Sequence, residues 1–103
     1  MAGLNPRLVS MLDSARGFAK TAFIITSGKR SEAENEAAGG APNSAHLRGL
    51  AVDLRCKSSQ KRYKMVPALL LAGFRRIVVY ASDGHFHVDC DEALPQDVFV
   101  VKP

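Results

Sequence analysis

The chain has 103 residues, 47% of them apolar and 23% charged, with a formal net charge of +4. That balance excludes a disordered chain and suits one small globular domain spanning residues 1–103. No apolar run approaches the roughly 18 residues of a membrane-spanning helix, and Pro67 and Gly73 interrupt the longest candidate, Val66 to Phe74. The first six residues lack the basic start and apolar run of a secretory signal. The expectation is a product made in a host cytoplasm and not inserted into a membrane.

The excess of positive charge favours a polyanionic partner or is an ordinary solvated basic face. A small nucleic-acid-binding domain fits the charge, but no RNA-binding aromatic motif or recognition helix supports it. Nucleic acid is therefore not expected as a partner, and a monomer is. Cys56 and Cys90 lack CxxC spacing, so a cysteine zinc site is not indicated. They read as buried thiols, with a single disulfide as the alternative.

In chain order, Asn5 can cap a helix that Pro6 begins. Leu8, Leu12, Ala15 and Ala19 then recur at helical spacing. Phe23 to Thr26 is aromatic and β-branched and reads as a strand. Ser31 and Glu34 form a capping box ahead of a short helix running to about Ala38, which Gly39 and Gly40 stop. Ala41 to Ser44 is a loop. Leu50 to Leu54 reads as a strand. Ser58 and Ser59 can cap a helix running toward Ala72, with Pro67 kinking it or starting a new segment. Phe74 to Tyr80, His85 to Cys90 and Val98 to Val101 read as strands, with a turn at Asp83-Gly84. The closeness of the last three strands predicts an α+β fold, with helices packed on a small antiparallel sheet.

The three histidines are His46, His85 and His87. A strand sends residues i and i+2 to one face, so His85, His87 and Asp89 share a side. His46 stands on a loop leading directly into the strand that carries Asp53. Two imidazoles and a carboxylate make the ligand set of a catalytic zinc with one position open. A lone HxH on a strand more often marks packed or surface histidines than a metal, and spacing alone does not establish a site. Arg30, at a strand exit, can clamp a carboxylate. Ser44 can bind substrate or simply shape its turn. Tyr80 ends a strand near the histidines. Asp83 is a candidate general base or only a turn residue.

Taken together, the segments Ser27 to Ser31 and Gly39 to Asp53 resemble the signature of the zinc peptidoglycan peptidases. That superfamily holds D-alanyl-D-alanine carboxypeptidases and phage L-alanyl-D-glutamate endopeptidases, and shares the Hedgehog fold. Its pattern SxHxxGxAxD is complete in Ser44 to Asp53, and Ala72 to Ile77 and Phe86 to Asp89 are similar to its closing segments. The resemblance implies that His46, Asp53 and His87 hold Zn2+, and that Arg30 and Ser44 hold a peptidoglycan peptide. It implies hydrolysis of a stem-peptide or cross-link bond by a phage-derived lysis or virion enzyme acting on the cell wall. A fold that keeps zinc as a cell-wall-binding module without turnover is the alternative. The chain departs from the family where the catalytic carboxylate usually stands, three residues before the last histidine ligand. Gly84 occupies that position, so Asp83, one residue earlier, or His85 would take the role. Lys29 stands where the family often has an aromatic residue.

Overall fold

The computed structural model describes residues 3–103. Helix α1 spans Pro6–Ala19; the Asn5 side chain accepts the Arg7 backbone N–H at 2.9 Å, and Leu8, Leu12, Ala15 and Ala19 form its buried stripe. Strand β1 (Ile25–Ser27) follows, then α2 (Glu32–Ala37). The capping box forms as expected, with Glu34 N–H donating to Ser31 Oγ and Ser31 N–H to Glu34 Oε1. A 3₁₀ turn at Ala45–Arg48, which periodicity did not announce, precedes β2 (Ala51–Arg55). Helix α3 (Ser59–Leu71), β3 (Arg76–Tyr80), β4 (His85–Asp89) and β5 (Val98–Lys102) complete the chain.

Pro67 starts no new segment, since α3 runs through it. Its ring removes the bond to the Tyr63 carbonyl four residues back. Both residues lie on the exposed side of the helix, where solvent meets that carbonyl.

The sheet has the order β1-β2-β4-β3-β5. The expected antiparallel pairing holds for the first four strands, while β5 lies parallel to β3. The connection from β4 carries β5 past β3 to the free edge, where the parallel direction is the one available.

Alternation along the strands sorts side chains onto two faces. Val52, Leu54, Ile77, Val79, Phe86 and Val88 point to one face, which α1 and α3 cover with Leu8, Leu12, Met65 and Leu69. Asp53, His87, Asp89, Arg76 and Tyr80 point to the other face, which no long helix covers. Strands β2, β3 and β4 are thus half core and half site.

Cys56 and Cys90 both sit buried on the core side, three residues beyond Asp53 and His87. The Cys56 N–H bonds to the Gly84 carbonyl and the Cys90 N–H to the Leu50 carbonyl. These are opposite ends of the β2–β4 pair, so the two thiols are free and do not form the alternative disulfide.

Candidate metal centre and substrate cleft

The site begins in the β2–β4 ladder. Asp53 and His87 are direct cross-strand partners. His46 arrives from the 3₁₀ turn, where Ser44 Oγ accepts the His46 backbone N–H at 3.3 Å. Gly49 closes that turn at φ 68°, and a Cβ there would run into the Gly3 carbonyl oxygen. Only glycine meets both demands. Arg48 ties the turn to the end of β4 through an ion pair with the buried Asp91. A bulge in β1 between Ile25 and Ser27 swings the following segment over Asp53. There the Arg30 N–H donates to the His46 carbonyl, and the Arg30 side chain reaches the site.

Donor atoms of His46, Asp53 and His87 all lie within 4.8 Å of one another. His46 Nδ1 donates to the Gly28 carbonyl at 2.8 Å, since that oxygen can only accept. Its Nε2 therefore faces Asp53 Oδ1, 3.3 Å away, with a lone pair when the ring is neutral. His87 Nε2 donates to Asp89 Oδ2 at 2.8 Å, which turns Nδ1 toward the same Asp53 Oδ1 at 3.4 Å. Two imidazole lone pairs and a carboxylate oxygen thus converge on one point. Such a set is repulsive without a cation at its centre, and its donors suit zinc. A proton on His87 meets the same demand. Burial pulls the His87 pKa down, but hydrogen bonds to Asp53 and Asp89 outweigh it and hold the pKa above the ordinary value. Burial pushes the Asp53 carboxyl up; where the imidazoles carry a second proton, their hydrogen bonds and charge overcome it and hold the carboxyl far below the usual carboxylate range.

The shell behind these groups is closely paired. Arg30 Nη2 donates to Asp53 Oδ2 at 3.1 Å and its Nε to Ser27 Oγ at 3.2 Å. Asp89 is fully buried and accepts from His87, from Arg76 Nε at 3.0 Å and from the Asp91 backbone N–H at 3.2 Å. Arg76 and Asp89 are themselves cross-strand partners in the β3–β4 ladder. Burial raises the Asp89 pKa, but the His87 and Arg76 contacts prevail and keep it low, so the carboxylate stays charged to orient His87.

The structure brings the candidate catalytic, substrate-binding and metal residues into one cleft. A cleft of about 590 Å³ over the sheet is lined by His46, Asp53, His87, Arg30, Ser44, Tyr80, Asp83 and His85. His85 does not join the three converging donors; its ring stacks on Tyr80, centroids 4.6 Å apart. Asp83 stands exposed on the turn at the cleft's end. No role for Arg76, Gly28 or Lys102 is legible in the sequence. Arg76 acts through a cross-strand pair and Gly28 through a carbonyl, and neither leaves a spacing signal.

An α+β fold with a His-Asp-His group in an open cleft is what a metallohydrolase needs. A profile of the Peptidase M15 family matches residues 2–89, and the chain belongs to that family, within the zinc peptidoglycan peptidase superfamily. A search of the curated proteins finds no match.

Proposed function

We propose that the chain is a zinc-dependent peptidase that cleaves a peptide bond in peptidoglycan stem peptides or their cross-links. The observation that carries this reading is the convergence of His46 Nε2, His87 Nδ1 and Asp53 Oδ1 at the floor of an open cleft. In this reading those three residues hold the metal. The chemistry zinc supplies in such a set is Lewis acidity, which polarises a carbonyl and acidifies water.

The protein's own groups do the rest. The Gly28 carbonyl and Asp89 keep both imidazoles turned toward the centre, and Arg30 holds the second Asp53 oxygen. Asp83, at the cleft's end, takes the general-base role and passes a proton to the leaving amine. The free Arg30 Nη1, Ser44 and Tyr80 border the path of the peptide and position it. The enzyme would act on the cell wall as a phage lysis or virion protein; support for that origin is the motif's resemblance to phage L-alanyl-D-glutamate endopeptidases. D,D-carboxypeptidase or D,D-endopeptidase cleavage is the other specificity the resemblance offers. Among the described residues no helix is long and apolar enough to cross a membrane.

One observation favours a second reading, a wall-binding module that keeps zinc without turnover. Gly84 occupies the family's usual carboxylate position, and Asp83 is one residue displaced.

Incubating purified sacculi with the protein, with and without a zinc chelator, tests both. New peptide termini in the mass spectrum that vanish with chelation are expected, and they identify the bond. Stoichiometric zinc with no new termini would replace the peptidase by the binding module.

A further inference from the structure

Strand β5 lies beyond the family match, which ends at residue 89, yet its last residue, Lys102, lines the cleft. Its sequence, Val98-Phe-Val-Val-Lys102, is β-branched and aromatic up to its last residue. The parallel register pairs Arg76 with Val98, Val78 with Val100 and Tyr80 with Lys102. Val78 in turn pairs with His87, so Lys102 belongs to the same face as the histidine. The Ala81 N–H donates to the Lys102 carbonyl at 2.9 Å and pins the strand's end. Lys102 Nζ stands 5.5 Å from the centroid of the Tyr80 ring, and Tyr80 stacks on His85. Ammonium, phenol and imidazole form one continuous wall at the Asp83 end of the cleft.

Three cations line this cleft: Arg30, Arg76 and Lys102. Arg30 is matched by Asp53, and Arg76 by Asp89. Lys102 has no carboxylate within ion-pairing distance among the described residues, Asp83 included, and its ring contact leaves ammonium donors free. Among the lysine and arginine side chains lining the cleft, Lys102 is thus the one without a carboxylate partner, and it lies on β5, across β4 and β3 from the Asp53 strand that Arg30 contacts.

We propose that Lys102, held over Tyr80, is the subsite for a free carboxylate of the substrate peptide and thereby a determinant of specificity. The proposal rests on the peptidase reading and names the chemical group that this end of the cleft selects. A stem peptide offers three such groups: the D-glutamate α-carboxylate, the second carboxylate of a diamino acid, and the C-terminus.

The test uses zinc-loaded protein and a synthetic stem pentapeptide containing diaminopimelate, together with three analogues, each amidated at one of those carboxylates. Calorimetric binding and steady-state turnover are measured for the wild type, Lys102→Met and Lys102→Arg. For the free pentapeptide, Lys102→Met is expected to raise Kd and KM about fivefold with kcat little changed, as befits a partly solvated charge pair. Lys102→Arg should stay near wild type. One of the three amidations should weaken binding to the wild type by the same factor and have no further effect on Lys102→Met, and that non-additivity identifies the carboxylate. If wild type binds and cuts the peptide but Lys102→Met matches it, or all three amidations act additively, the subsite is overturned while the peptidase reading stands. If wild type neither binds nor cuts any of the four peptides, the subsite is overturned, and the sacculus digest decides the peptidase reading separately.

Discussion

Asp53 and His87 face each other across the β2–β4 ladder, and Asp53 Oδ1 lies 3.4 Å from His87 Nδ1. A cross-strand pair is the closest approach two strands offer, and it brings residues 34 positions apart into one site. His46 then needs only a short loop to reach the same oxygen.

This pairing separates the two histidines of β4. His46→Ala, Asp53→Ala and His87→Ala should each abolish stoichiometric zinc, measured by elemental mass spectrometry on purified protein. His85→Ala should retain it, because that ring lies against Tyr80. Loss of zinc in His85→Ala with retention in His87→Ala would reverse the assignment.

Asp83→Ala tests the general base. Turnover of stem peptide should fall about 10²–10⁴-fold, the usual contribution of a positioned base, while zinc content stays at one per chain. Undiminished turnover would remove Asp83 from the mechanism and turn attention to His85.

The carboxylate behind His87 should tune the metal without touching it. Asp89→Asn is expected to weaken zinc binding by about 10–100-fold in chelator competition. Arg76→Ala leaves the fully buried Asp89 charge without its arginine and should cost about 3–5 kcal/mol in denaturant unfolding. Wild-type zinc affinity in Asp89→Asn would show that the ring is oriented by the strand alone.

Gly49→Ala attacks the turn that delivers His46. A positive φ and the Gly3 carbonyl in the way of a Cβ both oppose it, so a loss of about 2 kcal/mol or more is expected. Thermal unfolding with and without zinc measures it. An unchanged midpoint would mean that the N-terminal lead simply moves aside.

The two thiols offer a check on the core. Burial raises the Cys56 pKa, which lowers its thiolate fraction at any given pH, and the thiolate is the reactive form. A disulfide-exchange reagent near neutral pH should react with Cys56 and Cys90 far more slowly in native protein than in urea. Rapid native reaction would show that the ends of β2 and β4 open readily.

Much of the local architecture was legible from residues a few positions apart. Asn5 before Pro6, the Ser31–Glu34 box and the apolar stripe of α1 are local signals, and each forms where its chemistry placed it. The strand boundaries moved by a residue or two, because hydrogen-bonding partners on neighbouring strands decide where a ladder ends. The Ser44-to-Asp53 segment marked the site through its resemblance to the zinc peptidoglycan peptidases, and its cap, histidine, glycine and carboxylate all fall within one turn and the strand after it.

By itself, then, the sequence determined the helices, the turn chemistry and the residue types able to meet a metal, because propensity, capping and alternation act over a few bonds. Only the tertiary structure decided that β5 runs parallel to β3 at the sheet edge, that Cys56 and Cys90 lie at opposite ends of one strand pair, that His85 stacks on Tyr80, and that Arg76 reaches His87 through Asp89. Those relations depend on strand order and register, which arise when the two helices bury one face of the sheet and leave the charged side chains on the other to find partners across it.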